Sequence, residues 1–375
     1  MSEGIVKITH LSSAHPRYDT RIFLKEMRSL AQVISFQVSL VIADGKGDET
    51  IDEMSIYDVG KPSGRLDRMT KTTKKVFKKA LDLESDVYHL HDPELIPIGI
   101  RLKKAGKKVI FDAHEDVPKQ LLGKPYLNRF LSKLVARIFT AYENRTSPRF
   151  DAIVTATPSI AEKFEKLNPR VVNVNNFPII GELDKPELWQ NRLKKVSYVG
   201  GISEIRGIKE LIKAMDLVED IHLNLIGQFG EAELKKEIQA YPGWRNVEEH
   251  GFLGREEVAE VLSHSVAGVV TFHPLPNHID AQPNKMFEYM SAGVPLITSD
   301  FPLWREIVKG NDCGICVDPL DPRAIAKAIE YIVSHPAEAE LMGKNGQKAV
   351  LEKYNWSVER KKLLAIYQDV LSSDG

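Results

Sequence analysis

The chain has 375 residues, a length typical of two or three domains. With 43% hydrophobic and 27% charged residues it is neither disordered, nor collagen-like, nor a disulfide-stapled miniprotein, and its two cysteines, Cys313 and Cys316, are interpreted as reduced thiols of a buried strand. No apolar run approaches the roughly 20 residues of a membrane span. The opening residues Met1 to Ile8 lead directly into a strand-like run without a signal peptide, so we expect a soluble, intracellular protein.

Charge is balanced overall but uneven along the chain. The net charge is -1, yet residues 61–150 contain 20 Lys/Arg and 10 Asp/Glu. Within this basic half, the helix-like stretch from Tyr126 to Glu143 alternates basic with apolar residues. It is either an ordinary solvated helix face or a surface for anionic lipid or a diphosphate-linked acceptor. A sequence pI near 6.9 argues against a nucleic-acid partner.

Strand-like and helix-like segments alternate along the chain. In the first half, short apolar runs predict strands at residues 5–11, 37–43, 87–90, 108–111 and 152–155, with helices at 20–30, 70–81, 95–104 and 127–141 between them. The second half repeats this rhythm, with strands at 196–199, 223–226, 268–272, 295–298 and 314–317, and a final amphipathic helix at 356–371. Apolar runs without strict alternation are typical of parallel strands that are buried on both faces.

The chain is predicted to form two doubly wound, Rossmann-like α/β domains. Residues 173–195 carry little periodic pattern and include Pro186, so the boundary is placed near 180–190. The predicted domains are 1–180 and 190–355, followed by a C-terminal helix over 356–375. In such folds ligands bind beyond the carboxyl ends of the strands, and a cleft between two domains is the default site.

The segment from His273 to Ile297 contains the strongest candidates for ligand-binding residues. It begins at a strand end, and Pro283 is predicted as the first residue of a short helix that Gly293 terminates. A helix N-terminus beyond a strand end attracts anions. Glu288, about a turn and a half further, can accept hydrogen bonds from the two hydroxyls of a ribose, so the segment indicates a nucleotide site. The alternative is a capped helix with a solvated glutamate.

This segment resembles the signature of family 4 glycosyltransferases of the GT-B fold (glycosyltransferase group 1), in which an acidic residue precedes a glutamate by eight positions. Asp280 and Glu288 occupy those positions, and Glu288 to Pro295 matches the downstream half closely. The resemblance implies that Glu288 binds the ribose and Asp280 a sugar hydroxyl, with Asn284, Lys285 and Met286 beside the nucleotide. Asp280 is one methylene shorter than the usual glutamate, and Ala281-Gln282-Pro283 replaces the family's Gly-Phe-Gly.

The segment from Tyr198 to Leu211 is similar to the family's phosphate-binding segment, where an arginine and a lysine hold the donor diphosphate. Here Gly200 and Gly201 follow the strand, so glycine stands at the first cationic position and Arg206 at the second. Lys285 is the candidate for the missing cation. Cations are needed there because a departing nucleoside diphosphate develops negative charge.

In the N-terminal half, His91 resembles the family's strand-end histidine beside the transferred sugar, and His89 is predicted to point into the core. His114 and Glu115 follow the next strand and are candidate acceptor residues. The family's Gly-Gly pair is absent from the first loop. There, Arg17, Tyr18, Asp19 and Arg21 either face the acceptor or, in the case of Asp19 and Thr20, simply cap the following helix.

By this resemblance the protein is a retaining glycosyltransferase that needs no cofactor and no metal. Its donor would be a UDP- or GDP-linked sugar held by the C-terminal domain, and the N-terminal domain would bind the acceptor. The resemblance also implies that the last helix crosses back and packs on the N-terminal domain. Its acceptor would be a glycan or lipid-linked hydroxyl of bacterial cell-surface polysaccharide or lipopolysaccharide synthesis, and the enzyme would be cytoplasmic with peripheral contact to an anionic membrane. Catalysis would rest on His91, Asp280, Arg206 and Lys285. A nucleotide-sugar 2-epimerase of the same architecture and a degenerate, non-catalytic partner subunit are the alternatives. The absence of Gly-x-Gly-x-x-Gly after the first strand argues against a dehydrogenase.

Overall fold

The computed structural model describes residues 4–122, 128–185 and 187–372. Predictions that involve Met1 to Glu3, Tyr126, Leu127, Pro186 or the last three residues therefore lie outside these ranges. The chain divides into two compact units, residues 1–176 with 359–375, and residues 177–358. The division thus falls just before the predicted boundary, and the final helix belongs to the first unit.

The first unit contains an eight-stranded sheet in the order β3-β4-β2-β1-β5-β6-β7-β8, parallel except for the antiparallel pair β3 and β4. Its strands are β1 Val6–Leu11, β2 Phe36–Ile42, β3 Glu49–Ile51, β4 Met54–Asp58, β5 Val87–Leu90, β6 Lys108–Ala113, β7 Ala152–Thr155 and β8 Val171–Asn173. Strands β5 and β7 are buried along their whole length, as a parallel sheet covered on both faces requires.

Helices connect these strands. A π-helical segment at Ile22–Met27 continues into α1 at Arg28–Ala31, and another at Arg68–Thr72 joins α2 at Arg65–Asp67 to α3 at Thr73–Leu83. The rest are α4 Ile96–Lys104, α5 Val117–Leu122, α6 Arg129–Thr146 and α7 Pro158–Glu165, with short 3₁₀ turns at Pro93–Leu95 and Ser147–Arg149. Asn128 and Thr157 cap α6 and α7 with side-chain oxygens.

The second unit contains a six-stranded, fully parallel sheet in the order β11-β10-β9-β12-β13-β14. Its strands are β9 Lys195–Val199, β10 His222–Ile226, β11 Val247–Gly251, β12 Ala267–Val270, β13 Leu296–Ser299 and β14 Gly314–Val317. Its helices are α8 Ile208–Met215, α9 Ala232–Gln239, α10 Arg255–Ser263, α11 Pro276–Ile279, α12 Asn284–Ser291, α13 Pro302–Gly310, α14 Pro322–Ser334 and α15 Pro336–Glu352, with 3₁₀ turns at Trp189–Asn191, Glu204–Arg206 and Pro242–Asn246.

Each sheet has one point where the chain reverses its direction of winding. In the first unit this lies between β1 and β5, and in the second between β9 and β12. Loops that leave adjacent strands there open a crevice at the carboxyl edge, the usual ligand position in such folds. The loops that carry the predicted site residues are those that follow β1, β5 and β6 in the first unit and β9 and β12 in the second.

The last helix, α16 Trp356–Ser372, packs mainly within the first unit. Its Tyr367 is fully buried, and its hydroxyl lies 2.8 Å from Nδ1 of His89, which is buried in the core as predicted. Lys108 donates hydrogen bonds to the carbonyls of Val370 and Leu371. Within the described residues, no helix is long and apolar enough to cross a membrane.

Candidate functional site

The first candidate site lies at the carboxyl edge of the second sheet, where the β9 loop meets the N-terminus of α12. Helix α12 begins at Asn284, so Pro283 is its N-cap residue and not its first helical residue as predicted. The helix ends at Ser291, and Gly293 follows with φ of +66°, the left-handed conformation that commonly terminates helices. Val199 N–H donates to the Tyr289 hydroxyl at 2.8 Å and ties the end of β9 to α12.

Lys285 is the most unusual residue of this site. Its side chain is buried, and Nζ has no hydrogen-bond partner within the described residues. The ammonium group lies 3.8 Å from the centroid of the Tyr198 ring and 5.5 Å from that of Phe272. Burial, reinforced by the charge of Arg206, holds the pKa of Lys285 well below its ordinary value. A buried, unpaired lysine at a helix N-terminus is a group prepared for an anion that the protein itself does not supply.

Arg206 reaches the same place from the β9 loop. It ends the turn at Glu204–Arg206, and its Nη1 donates to the Gly201 carbonyl at 3.1 Å. A Cβ atom on Gly201 would lie only 2.7 Å from that nitrogen, and one on Gly200 would lie 3.4 Å from Nζ of Lys285. Gly201 therefore leaves room for the Arg206 guanidinium, whereas a Cβ atom on Gly200 would make only an ordinary contact with Lys285.

Gly207 fixes the direction of this loop. It adopts φ of +77° directly after Arg206, and a Cβ atom there would lie 1.9 Å from the Thr271 carbonyl oxygen. Only glycine fits such a close approach with a positive φ. Thr271 directly follows β12, so the contact joins the two loops that form the crevice.

Glu288, the predicted ribose ligand, is paired with a residue that sequence reasoning missed. Nη1 of Arg255, at the start of α10, lies 2.6 Å from Oε1 of Glu288. The same guanidinium makes a two-pronged ion pair with Glu182, with both contacts at 2.8 Å. Because a carboxylate has about four lone-pair positions, this contact leaves Glu288 capacity for ribose hydroxyls. Nothing in the sequence near Arg255 or Glu182 marks this pairing.

The other predicted donor-site residues lie in the same neighbourhood. Asp280 directly follows α11 and is partly exposed, while Asn284 and the buried Met286 belong to the first turn of α12. The intervening loop is anchored where Trp304 Nε1 donates to the Ala281 carbonyl at 2.7 Å. Asp280, Lys285 and Glu288 are thus all presented by one loop and helix beyond β12.

The second candidate site lies at the carboxyl edge of the first sheet and contains His91. The imidazole of His91 is fully buried, with Nδ1 3.1 Å from Asp112 Oδ2 and Nε2 2.8 Å from His10 Nδ1. Burial lowers its pKa, which the Asp112 contact opposes. Because both ring nitrogens already have protein partners, the predicted hydrogen bond to a sugar requires one of them to be released.

The loop after β1 holds the predicted acceptor residues in a network of its own. Arg17 is buried and bonds to Asp44, Glu49 and the Gly47 carbonyl, while the Tyr18 hydroxyl donates to Glu49. These partners hold the loop against β3 and the turn before it. Arg17 as an acceptor contact stays a prediction, and it would require the guanidinium to leave these ion pairs.

Arg21 is paired in a similar way, and its role as an acceptor contact also stays a prediction. It forms a two-pronged pair with Asp112, both contacts at 2.8 Å, and donates to the Val174 carbonyl. Asp19 takes the capping alternative, since its carboxylate accepts the backbone N–H groups of Arg21 and Ile22. Although burial opposes the charged form, its bonds from His15 and Ile22 lower the pKa of Asp19 to about 2.

His114 and Glu115 remain the accessible candidates at this edge. Together with His91, Asp112 and Glu143 they line a small cavity. His114 Nδ1 lies 3.3 Å from Asp112 Oδ2, and its Nε2 lies 3.1 Å from Nε2 of His15, a residue that sequence reasoning did not select. Glu115 is therefore the exposed group at this edge, whereas His114, like His91, must release one of its protein partners to bind a ligand.

Comparison with known proteins agrees with this architecture. The model of the family "Glycosyltransferase Family 4" matches residues 28–176, and the model "Glycosyl transferases group 1" matches residues 180–349. The chain resembles a phosphatidyl-myo-inositol mannosyltransferase of Mycobacterium leprae, with 24% identity over 315 residues that cover 80% of this chain and 77% of the relative. It also resembles the capsular polysaccharide biosynthesis glycosyltransferase CapM of Staphylococcus aureus, with 25% identity over 244 residues that cover 58% of this chain and 62% of the relative.

Among solved structures, the Anabaena protein Alr3699/HepE in complex with UDP and glucose shares the fold, with a TM-score of 0.75 and 14% identity over 97% of this chain and 100% of that one. The protein is therefore a glycosyltransferase of the GT-B fold. More narrowly, it belongs to glycosyltransferase group 1, the family 4 type, as the sequence motifs predicted.

Proposed function

We propose that this glycosyltransferase moves a sugar from a UDP- or GDP-linked donor to a hydroxyl acceptor with retention of configuration. The single observation that carries the donor assignment is Lys285, a buried ammonium group without a hydrogen-bond partner among the described residues. A diphosphate would supply the negatively charged partner that this ammonium group lacks. The Anabaena protein whose structure contains UDP and glucose has the same fold, which makes UDP the first nucleotide to test.

In the proposed reaction the donor's diphosphate lies against the N-terminus of α12, between Lys285 and Arg206. As the bond between the sugar and the diphosphate breaks, negative charge grows on the leaving oxygen. The two cations and the helix amides stabilise that charge more in the transition state than in the ground state. Glu288, oriented by Arg255, binds the ribose.

In this proposal, the groups that contact the transferred sugar account for the retention of its anomeric configuration. The leaving diphosphate helps to deprotonate the acceptor hydroxyl on the face from which it departs. Asp280 positions a sugar hydroxyl, since it stands in the loop that leads directly into the nucleotide helix. His114 and Glu115 are the proposed acceptor contacts, because they line the cavity of the first unit.

A thermal-shift titration with UDP, GDP, ADP and CDP, without added metal, tests the donor site. A ligand at 100 times its Kd stabilises the folded protein by about 2.7 kcal/mol. We expect a shift with one diphosphate that disappears in Glu288→Ala and persists in the control Glu306→Ala, an exposed glutamate on α13. The absence of a shift with all four nucleotides would count against the proposal and in favour of a non-catalytic subunit.

Product analysis separates transfer from the remaining alternative. A nucleotide-sugar 2-epimerase converts its donor when no acceptor is present, whereas a transferase needs the acceptor. The anomeric configuration of the product, measured by NMR coupling constants, decides between retention and inversion. An inverted product would refute the retaining mechanism while it leaves the donor site intact.

The acceptor is proposed to be lipid-linked or membrane-associated, in bacterial cell-surface polysaccharide or lipopolysaccharide synthesis. The support is the surface of α6, which exposes the large apolar side chains Phe130, Leu131, Leu134 and Ile138, with Phe130 80% exposed. Lys133 and Arg137 are exposed between them. Phe130, Leu134 and Ile138 are spaced by four residues and share one helix face. An apolar stripe flanked by cations matches an anionic lipid surface, so the enzyme is proposed to be cytoplasmic and to bind the inner face of the membrane.

Sedimentation with vesicles tests this surface. The full chain is expected to sediment with phosphatidylglycerol-containing vesicles and less with pure phosphatidylcholine. Replacing Phe130 and Ile138 by serine should abolish sedimentation, whereas Leu341→Ser on α15, also an exposed leucine, should not. Equal binding of both variants would refute a role for α6.

A further inference from the structure

Four side chains of the metal-ligating types meet inside the first unit, beneath the carboxyl edge of its sheet. His10 lies on β1, Glu26 on the π-helical segment that follows it, and His89 and His91 on β5. All four have an exposed fraction of 0%, and each offers one nitrogen or oxygen within 4.8 Å of those of the other three. The mechanism proposed above uses none of this convergence.

The charges around this cluster do not balance. Arg21 is a single guanidinium that faces two buried carboxylates: it pairs with Asp112 through two contacts, and its Nε lies 3.1 Å from Glu26 Oε1. Neither oxygen of Glu26 has a hydrogen-bond partner among the described residues, nor does Nε2 of His89. A buried carboxylate in this situation is costly unless a further cation or a proton joins it.

Each imidazole is contacted at one nitrogen by a group outside the cluster. His91 contacts Asp112 through Nδ1, the carboxylate–histidine arrangement that commonly orients metal-bound imidazole. The Tyr367 hydroxyl lies 2.8 Å from His89 Nδ1 and 3.5 Å from His10 Nε2. His10 Nδ1 and His91 Nε2 contact each other, and a bound ion would replace that contact.

The spacing of these candidate ligand atoms is close to that of a metal site. Nδ1 of His10 lies 2.8 Å from Nε2 of His91, and Oε2 of Glu26 lies 4.0 Å from that same nitrogen. In a tetrahedral site with bonds of about 2.0–2.1 Å, ligand atoms lie about 3.3 Å from one another. The observed separations bracket that value.

We propose that His10, Glu26, His89 and His91 bind one divalent transition-metal ion of the zinc class. Three imidazoles and one carboxylate are the nitrogen and oxygen ligands that Zn²⁺ accepts in tetrahedral sites. The ion joins β1, β5 and the helical segment between β1 and β2. Its role is structural, because it supports the strand ends that carry the acceptor residues.

Metal analysis of the full-length protein tests the site. The chain, expressed with added zinc and desalted, should contain about one equivalent by mass spectrometry. Growth in cobalt-supplemented medium should give the visible absorption bands of tetrahedral Co²⁺. Glu26→Gln keeps the volume but removes the anionic ligand, so it should lose the metal, whereas His335→Gln, an exposed histidine on the other unit, should retain it.

The wild-type result alone can overturn the proposal, so it does not depend on the variant folding. Less than about a tenth of an equivalent of metal, with no cobalt bands, would show that a proton on Glu26 balances the charge. In that case Glu26→Gln should fold with unchanged stability. Full metal content in Glu26→Gln would equally refute the assignment of this carboxylate. A melting temperature of the wild type that falls on chelation by phenanthroline, and recovers with Zn²⁺, would confirm the coupling of metal to folding.

Discussion

Replacing Lys285 by methionine should strengthen the fold and weaken donor binding at the same time. In the empty site, Nζ is buried without a hydrogen-bond partner among the described residues. An unsatisfied buried polar group costs about 1–3 kcal/mol. The Tyr198 ring centroid lies 3.8 Å from Nζ, and cation–π attraction of the order of 0.5–2 kcal/mol offsets part of this cost. Methionine fills similar space without the polar group, so we expect a net stabilisation of about 1 kcal/mol.

The loss in binding is expected to be larger. A hydrogen bond to a charged group contributes about 1.5–3 kcal/mol, which corresponds to a roughly ten- to 150-fold weaker Kd for the nucleoside diphosphate. Calorimetric titration with UDP measures the affinity, and thermal unfolding measures the stability, with about 2–4 °C expected per kcal/mol in a domain of 150–250 residues.

The matched control is Lys309→Met, an exposed lysine on α13 in the same unit. This control should change neither the Kd for UDP nor the melting temperature appreciably. A Lys285→Met protein that melts lower than the wild type and binds UDP equally well would refute the reasoning. Such a result would mean that the lysine stabilises the unit and does not meet the diphosphate.

Three further outcomes follow from the same site. Gly201→Ala should weaken UDP binding several-fold in calorimetry without lowering the melting temperature, because the new Cβ displaces only the flexible end of Arg206, 2.7 Å away. Gly207→Ala should instead lower the free energy of unfolding by at least about 1–3 kcal/mol in urea titration, because it forces alanine into φ of +77° against the Thr271 carbonyl. Finally, a diphosphate favours the charged form of Lys285, whose pKa in the empty site is well below 10.5. UDP binding should then take up protons and weaken as the pH rises from that lowered pKa towards 10.5, and calorimetry in buffers of different ionisation enthalpy should show this uptake in the wild type but not in Lys285→Met.

The sequence predicted the fully buried strands well and missed three of the four described strands that lie at sheet edges. The predictions for β5 and β7 match the structure residue for residue, because continuous apolar runs are typical of strands covered on both faces. The prediction for the edge strand β14 also matches residue for residue. Four short strands were missed, namely β3, β4, β8 and β11. The last reads Val-Glu-Glu-His-Gly and lies at the edge of its sheet, where one side of the backbone is unpaired and apolar side chains are not required.

The candidate site shows a similar division between local and long-range information. The position of Glu288 on a helix beyond a strand could be predicted from the sequence, because Pro283, Gly293 and the adjacent apolar runs indicate where the helix and strands lie. Its pairing with Arg255 could not, because those residues are 33 positions apart and only the fold brings them together. For the same reason Arg17 and Arg21 could be recognised as loop cations, whereas their carboxylate partners could not.

The return of α16 to the first unit also determines when that unit can be completed during synthesis. Its first 176 residues leave the ribosome without the helix that places Tyr367 against His89. Translation proceeds at about 5–20 residues per second, so the roughly 180 residues in between take about 10–40 s. During that interval the N-terminal sheet lacks one of its covering helices, while the second unit forms from a single uninterrupted stretch. The first part of the chain to be made is therefore the last to reach its final packing.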